Sequence, residues 1–125
     1  MPKSVLLIDD DHVSCFINEK ILKMHGVTDR IHTVHNGMAA LDFIQENCNN
    51  SDVFPELILL DIHMPIMNGF EFMESFLKLA LGIPSKVFIL TSSTNAIDRK
   101  RAEQFPIAGY LTKPLKLEEL DEHLK

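Results

Sequence analysis

The chain has 125 residues, which suits one domain with a single core. Hydrophobic residues make up 46%, and the net charge of −6 disfavours nonspecific nucleic-acid binding, since phosphates repel an acidic surface. No apolar run approaches the ~20 residues of a membrane span, and Val5-Leu6-Leu7-Ile8 is too short for a signal peptide. A cytoplasmic protein with no membrane or direct nucleic-acid partner is expected. Cys15 and Cys48 lack C-x-x-C spacing and read as free thiols.

Taken in order, Val5-Leu6-Leu7-Ile8 reads as a short buried strand running into Asp9, Asp10 and Asp11. Val13, Phe16, Ile17, Ile21 and Met24 then recur at helical spacing, with Asn18, Glu19, Lys20 and Lys23 between them. That pattern predicts an amphipathic helix with the apolar stripe on its core side. One aspartate can cap it, and Gly26 fits a left-handed stop. Ile31-His32-Thr33-Val34 reads as a second strand, and Asn36 as the cap of a helix carrying Ala40, Leu41 and Ile44. Residues 47–52 form a polar loop.

Pro55 leads into Leu57-Ile58-Leu59-Leu60, a continuous apolar run that ends on Asp61 and reads as a strand buried on both faces. Pro65 and Gly69 break the chain. Phe70, Met73, Leu77 and Ala80 or Leu81 make another helical stripe, ended by Gly82 and Pro84. Residues 87–90 are a fourth strand closing on Thr91-Ser92-Ser93. Residues 95–105 predict a polar helix whose charge run at 98–101 reads as a solvated face or a partner surface. Residues 107–112 contain a fifth strand, interrupted by Lys113-Pro114. Leu117, Leu120 and Leu124 mark a last short helix. The six histidines show no tight metal spacing and read as surface or loop residues, and Met64 and Met67 read as packing.

Five strands alternating with five helices predict an α/β fold: a parallel sheet with helices on both faces and right-handed crossovers. The length is too small for an eight-fold barrel of ~250 residues. The doubly wound (βα)5, flavodoxin-like order 2-1-3-4-5 remains, with its switch point between strands 1 and 3. Residues 1–125 are expected to form this one domain, with no output domain.

That order brings functional groups together. Asp9 and Asp10 end strand 1, and Asp61 ends the neighbouring strand 3, ~4.8 Å away. Two like charges ~4 Å apart repel by ~4 kcal/mol at an effective dielectric of about 20. The cluster must hold a raised pKa, a bound cation, or both. Oxygen ligands with open positions suit Mg²⁺. Thr91 ends strand 4 with a hydroxyl. Lys113 ends strand 5, within reach of the same mouth. An acceptor carboxylate, a cation site, a hydroxyl and an ammonium are the parts phosphoryl transfer needs, since that chemistry rests on positioning and charge neutralisation.

The chain resembles the receiver (REC) domain of two-component response regulators, the CheY-like family, over nearly all its length. Four pieces carry the likeness: Leu7-Ile8-Asp9-Asp10-Asp11, Leu59-Leu60-Asp61-Ile62-His63-Met64-Pro65 with Asn68-Gly69, Leu90-Thr91-Ser92-Ser93, and Gly109-Tyr110-Leu111-Thr112-Lys113-Pro114. The resemblance implies a phosphorylatable switch of a phosphorelay, not an enzyme beyond slow self-dephosphorylation. Asp61 would accept a phosphoryl group from a sensor histidine kinase or a His phosphotransfer protein. Asp10, Asp61 and the His63 backbone carbonyl would bind Mg²⁺ directly, and Asp9 through a metal-bound water. Thr91 and Lys113 would bind phosphoryl oxygens, helped by backbone amides after Asp61 and near Ser92. A cis bond is usual in the family where Lys113-Pro114 stands. Thr91 and Tyr110 would be the switch pair, remodelling the face of helix 4, strand 5 and helix 5 for a downstream protein target. Phosphorylation-dependent homodimerisation stays open. Residues 104–108 lack the family's common Gly-Ala, and Pro106 is expected to shorten helix 4.

Two other readings compete. A haloacid-dehalogenase-like phosphatase would carry a second Asp two residues after its nucleophile, and here His63 stands there. A degenerate receiver that only binds partners would not need the full acidic set.

Overall fold

A computed structural model describes residues 4–26, 30–50, 52–79 and 85–124. The elements run β1 (Val5–Ile8), α1 (His12–Met24), β2 (Ile31–Val34), α2 (Gly37–Glu46), β3 (Leu57–Leu60), α3 (Gly69–Leu79), β4 (Lys86–Thr91), α4 (Ala96–Ala102), β5 (Gly109–Thr112) and α5 (Leu117–Leu124). The expected stripe end at Ala80 or Leu81 and its stop at Gly82 and Pro84 lie outside the described residues.

The strands form one parallel sheet in the order β2-β1-β3-β4-β5, as the alternation predicts. β1 and β3 are buried along their whole length, so both their faces need cover. On one face Leu6, Ile8, Ile58, Leu60 and Ile89 pack with Ile44 of α2, Phe72 of α3 and Ala102 of α4. On the other, Val5, Leu7, Leu59, Phe88 and Leu90 pack with Leu22 of α1 and Leu120 of α5. Each such side chain removed from water contributes about 1.5–3 kcal/mol.

Side chains at the rim start the helices. Asp11 caps α1, accepting from the backbone N–H of Val13 at 3.0 Å and of Ser14 at 3.3 Å. Asn36 caps α2 through Ala39 N–H at 2.7 Å, and Asn95 caps α4 through Ile97 N–H at 2.8 Å. Asn68 and Glu71 form a reciprocal capping box at α3: Asn68 Oδ1 accepts from Glu71 N–H, and Glu71 Oε1 from Asn68 N–H. Gly26 ends α1 at φ +67, the left-handed stop expected.

Two elements differ from the sequence reading. The buried side of α1 is Cys15, Asn18 and Leu22. Most of the predicted stripe faces solvent: Val13 is 67% exposed, Phe16 63% and Met24 76%. Only Ile21 packs partly against the core. Asn18, predicted on the polar side, is buried and donates to Ser14 Oγ at 3.4 Å. The apolar period is present, but it marks the outer face. Helix α4 stops at Ala102, short of the predicted 105: the chain tightens into i→i−3 bonds, Gln104 N–H to the Arg101 carbonyl oxygen and Phe105 N–H to that of Ala102, ahead of Pro106, which has no N–H to continue the helix.

Candidate functional site

The site is built where β1 and β3 end side by side. Ile8 pairs with Leu60, so Asp9 and Asp61, each one residue on, emerge together. Asp61 N–H donates to Ile8 carbonyl oxygen at 2.9 Å, which fixes that junction. Asp9, Asp10 and Asp61 each bring a carboxylate oxygen within 4.8 Å of the others. Asp9 and Asp61 are buried and Asp10 is exposed. On the far side of the sheet Thr91 pairs with Thr112, and Lys113 follows it. Its Nζ reaches back across the rim, donating to Asp9 Oδ2 at 2.5 Å and Asp61 Oδ2 at 3.2 Å. The Lys113-Pro114 bond is cis.

The carboxylates differ in how they are held. Asp9 is fully engaged: Oδ1 accepts from Asp11 N–H at 3.0 Å and Oδ2 from Lys113. Asp61 Oδ1 accepts from the His63 N–H at 3.1 Å. Burial pushes the Asp61 pKa up, with repulsion from Asp9 adding to it, against the His63 N–H and the Lys113 ammonium, which lower it. Burial pulls the Lys113 pKa down, but its bonds to Asp9 and Asp61 outweigh this and the net shift is upward. One cation thus balances two buried carboxylates, with Asp10 beside them. An oxygen-only donor set carrying this surplus of negative charge fits Mg²⁺.

The floor of the site needs a glycine. A Cβ on Gly69 would lie 2.7 Å from both the Asp61 carbonyl oxygen and Ile62 Cα. The start of α3 can therefore press against the backbone that aims Asp61 only because position 69 has no side chain. Gly69 N–H donates to Ile62 carbonyl oxygen at 3.1 Å across the same contact.

On the β4 side, Thr91 is fully buried and its Oγ1 accepts from Ser93 N–H at 3.2 Å. Tyr110 is half-buried, and its hydroxyl donates to the Ser93 carbonyl oxygen at 3.3 Å. Burial raises its pKa.

The sequence profile of the response regulator receiver domain matches residues 5–125. The chain is a response regulator receiver domain. It is 30% identical over 117 residues to two-component response regulator 24 of Arabidopsis thaliana, covering 94% of this chain and 78% of that one. It is 28% identical over 120 residues to response regulator Rcp1 of Synechocystis sp., covering 95% and 82%. A two-component response regulator from Cytophaga hutchinsonii superposes with a TM-score of 0.86 at 33% identity, covering 97% and 92%. Receiver domains are signalling switches, not classical enzymes. They bind Mg²⁺ at an acidic pocket and interact with histidine kinases or phosphotransfer proteins. No helix among the described residues of this receiver is long and apolar enough to cross a membrane.

The receiver's other side chains refine the sequence reading. The 98–101 run is more than a solvated face: Asp98 bonds to Ser93 and His63, the Arg99 guanidinium lies 5.2 Å from the Tyr110 ring centre, and that of Arg101 4.4 Å from Phe70. Nor are all histidines plain surface groups. His35 Nδ1 lies 3.1 Å from Asp9 carbonyl oxygen, with its ring stacked on His12. Met64 is buried and Met67 covers Gly37, both as packing. Cys15 and Cys48 are free thiols, and burial pushes the Cys15 thiol up to about 11, out of reach of thiolate chemistry at neutral pH. Sequence reasoning named Gly69 only as a chain break and within Asn68-Gly69 of the family likeness, and Asp98 only within the 98–101 run; it missed the contact each makes with the site. Asn68-x-x-Glu71 could have flagged Gly69 as the first residue of α3, but not its contact with Asp61. Nothing local to Asp98 points to His63, 35 residues away.

Proposed function

We propose that Asp61 is the phosphoacceptor of a two-component phosphorelay. The observation that carries this reading is the group of three aspartates with Lys113 bonded to both Asp9 and Asp61. An Asp61 carboxylate oxygen attacks the phosphorus of a phosphohistidine on a histidine kinase or His phosphotransfer protein. The P–N bond breaks, the imidazole leaves with its electron pair, and an acyl phosphate forms. Asp10, Asp61 and the His63 backbone carbonyl would hold Mg²⁺ directly and Asp9 through water, in keeping with Asp9's two filled oxygens. When bound, the ion supplies neutralising charge to the incoming phosphoryl oxygens.

Lys113 turns from the carboxylates to the phosphoryl oxygens, and the Thr91 hydroxyl, one strand over, donates to them. As Thr91 moves, the Ser93 backbone moves with it and Tyr110 follows. The surface of α4, β5 and α5 is thereby changed for a downstream protein target in the cytoplasm, with homodimerisation as one outcome. The donor rests on the exposed Val13 and Phe16 face of α1, which opens directly after Asp9 and Asp10. Hydrolysis of the acyl phosphate is slow, as suits a timed signal.

The test is labelling with acetyl phosphate or a phosphorylated donor in the presence of Mg²⁺. The wild-type chain is expected to take up the label and Asp61→Asn none. Equal labelling of Asp61→Asn would overturn the assignment.

A further inference from the structure

We propose that Asp98 is a positioning residue for the switch: it latches helix α4 to both loops that flank the acceptor and holds them in the unphosphorylated arrangement. This rests on the reading of Asp61 as phosphoacceptor. One oxygen of Asp98, Oδ2, accepts two hydrogen bonds, from Ser93 Oγ at 2.7 Å and from His63 Nε2 at 3.0 Å. A carboxylate only accepts, so the His63 ring carries its proton on Nε2.

Both donors are tied by their backbones to site residues. His63 N–H donates to Asp61 Oδ1. Ser93 N–H donates to Thr91 Oγ1. The bonds therefore form a continuous chain from Asp61 through His63, Asp98 and Ser93 to Thr91. The His63 end of this chain of bonds spans an open groove of about 410 Å³ between the β3–α3 loop and α4. Ser93 Oγ also accepts from Asn95 N–H at 3.2 Å, so the same hydroxyl orients the cap of α4. Its carbonyl oxygen holds the Tyr110 hydroxyl.

A phosphoryl group on Asp61 draws the Thr91 hydroxyl toward it. Ser93 is bonded to that hydroxyl and must follow or let go. It can follow only by breaking its bond to Asp98 or by pulling α4 along. A bond to a charged acceptor is about twice as strong as a neutral one, so this is the firmest link between the loop and the helix. The latch thus favours the unphosphorylated form and transmits the movement of Ser93 to α4 when it yields. Releasing it shifts the population toward the form that accepts the phosphoryl group, and any ligand of that form binds more tightly by the same factor.

The experiment is a calorimetric titration of the whole chain with beryllofluoride and Mg²⁺, paired with thermal melting. Asp98→Ala is expected to bind the phosphoryl mimic roughly five- to tenfold more tightly than wild type, within the usual span of coupling. Its melting temperature should fall. A merely structural Asp98, stabilising the first turn of α4 by its charge, predicts the fall in melting without the gain in affinity. Asp98→Asn removes the charge but keeps an acceptor oxygen and should gain clearly less than Asp98→Ala. Ser93→Ala, which keeps the charge, should gain roughly two- to threefold, part of the span a full release covers. Affinity within twofold of wild type in both Asp98→Ala and Ser93→Ala overturns the latch. So does equal tightening in Asp98→Asn and Asp98→Ala, which would assign the effect to charge alone. Wild-type chain that takes up no mimic overturns the phosphoacceptor reading, and the latch with it.

Discussion

The carboxyl rim of the sheet and the outer face of α1 break the same rule in opposite directions. At the rim, Asp9, Asp61 and Thr91 are buried where apolar side chains would be cheaper. On α1, Val13, Phe16 and Met24 are exposed where polar ones would serve. The rim is held by specific bonds, each to a named partner. On the outer side of α1 the ties are loose and local: the Lys20 ammonium lies 5.2 Å from the Phe16 ring centre, and Lys23 pairs with Glu19 at 2.9 Å. Burying charge costs stability and is tolerated only with partners in place, whereas exposing single apolar groups costs the fold little. The first departure therefore reads as chemistry and the second as contact. Locally inconsistent positions gather where function does.

Removing the rim's cation should break that contrast most severely. Lys113→Ala leaves Asp9 and Asp61 facing each other unpaired and should destabilise the fold by about 2 kcal/mol, below the figure for a wholly buried pair because Lys113 keeps some exposure to water. Urea denaturation measures it, and millimolar Mg²⁺ should restore part of the loss. No loss in metal-free buffer would mean that the rim is not under electrostatic load.

A smaller effect of opposite sign is expected from Asp61→Asn. The folded chain holds the Asp61 pKa above its ordinary 3.8, so the folded state takes up this proton more readily than the unfolded one. The stabilising contribution of the protonated form is present at low pH and is lost as pH rises through the raised folded value. At neutral pH the Asp61 charge weighs against folding, and Asp61→Asn should gain on the order of 1 kcal/mol without divalent cations. That gain should shrink as pH falls through the folded value and vanish below 3.8. A pH series of denaturation midpoints checks it, and a gain that grows on acidification would contradict the sign.

The smallest change in stability is expected on α1. Phe16→Ser should alter the fold by no more than about 0.5 kcal/mol, since the ring is mostly in water. Labelling by acetyl phosphate should be unchanged, while transfer from a phosphorylated donor protein should fall roughly tenfold, about 1.4 kcal/mol of lost contact. Equal transfer rates for Phe16→Ser and wild type would leave this face without its proposed role.

The two regions also differ in how far they could be read in advance. The rim was legible because a strand's end is a local event: four aliphatic residues and then Asp61, with strand order following from strict alternation. Asp9, Asp61 and Lys113 meet as the order 2-1-3-4-5 requires. The orientation of α1 was not legible. Periodicity gives a helix two faces but does not say which one meets the sheet, and here Cys15 and Leu22 fill that space while the stronger stripe turns outward. Asp98 was illegible for another reason. Its partners, Ser93 and His63, come from separate loops, and only the packed fold brings them to one oxygen.

The reach of Lys113 to Asp9 sets an order of events at the ribosome. The two residues are 104 positions apart, and Lys113 follows Asp61 by 52. At ~5–20 residues per second, Asp61 waits roughly 3–10 s for its cation. A nascent chain that ends before β5 has the Asp61 carboxylate without the ammonium that pairs with it. Completion of β5 is thus the step that balances the charge of the rim.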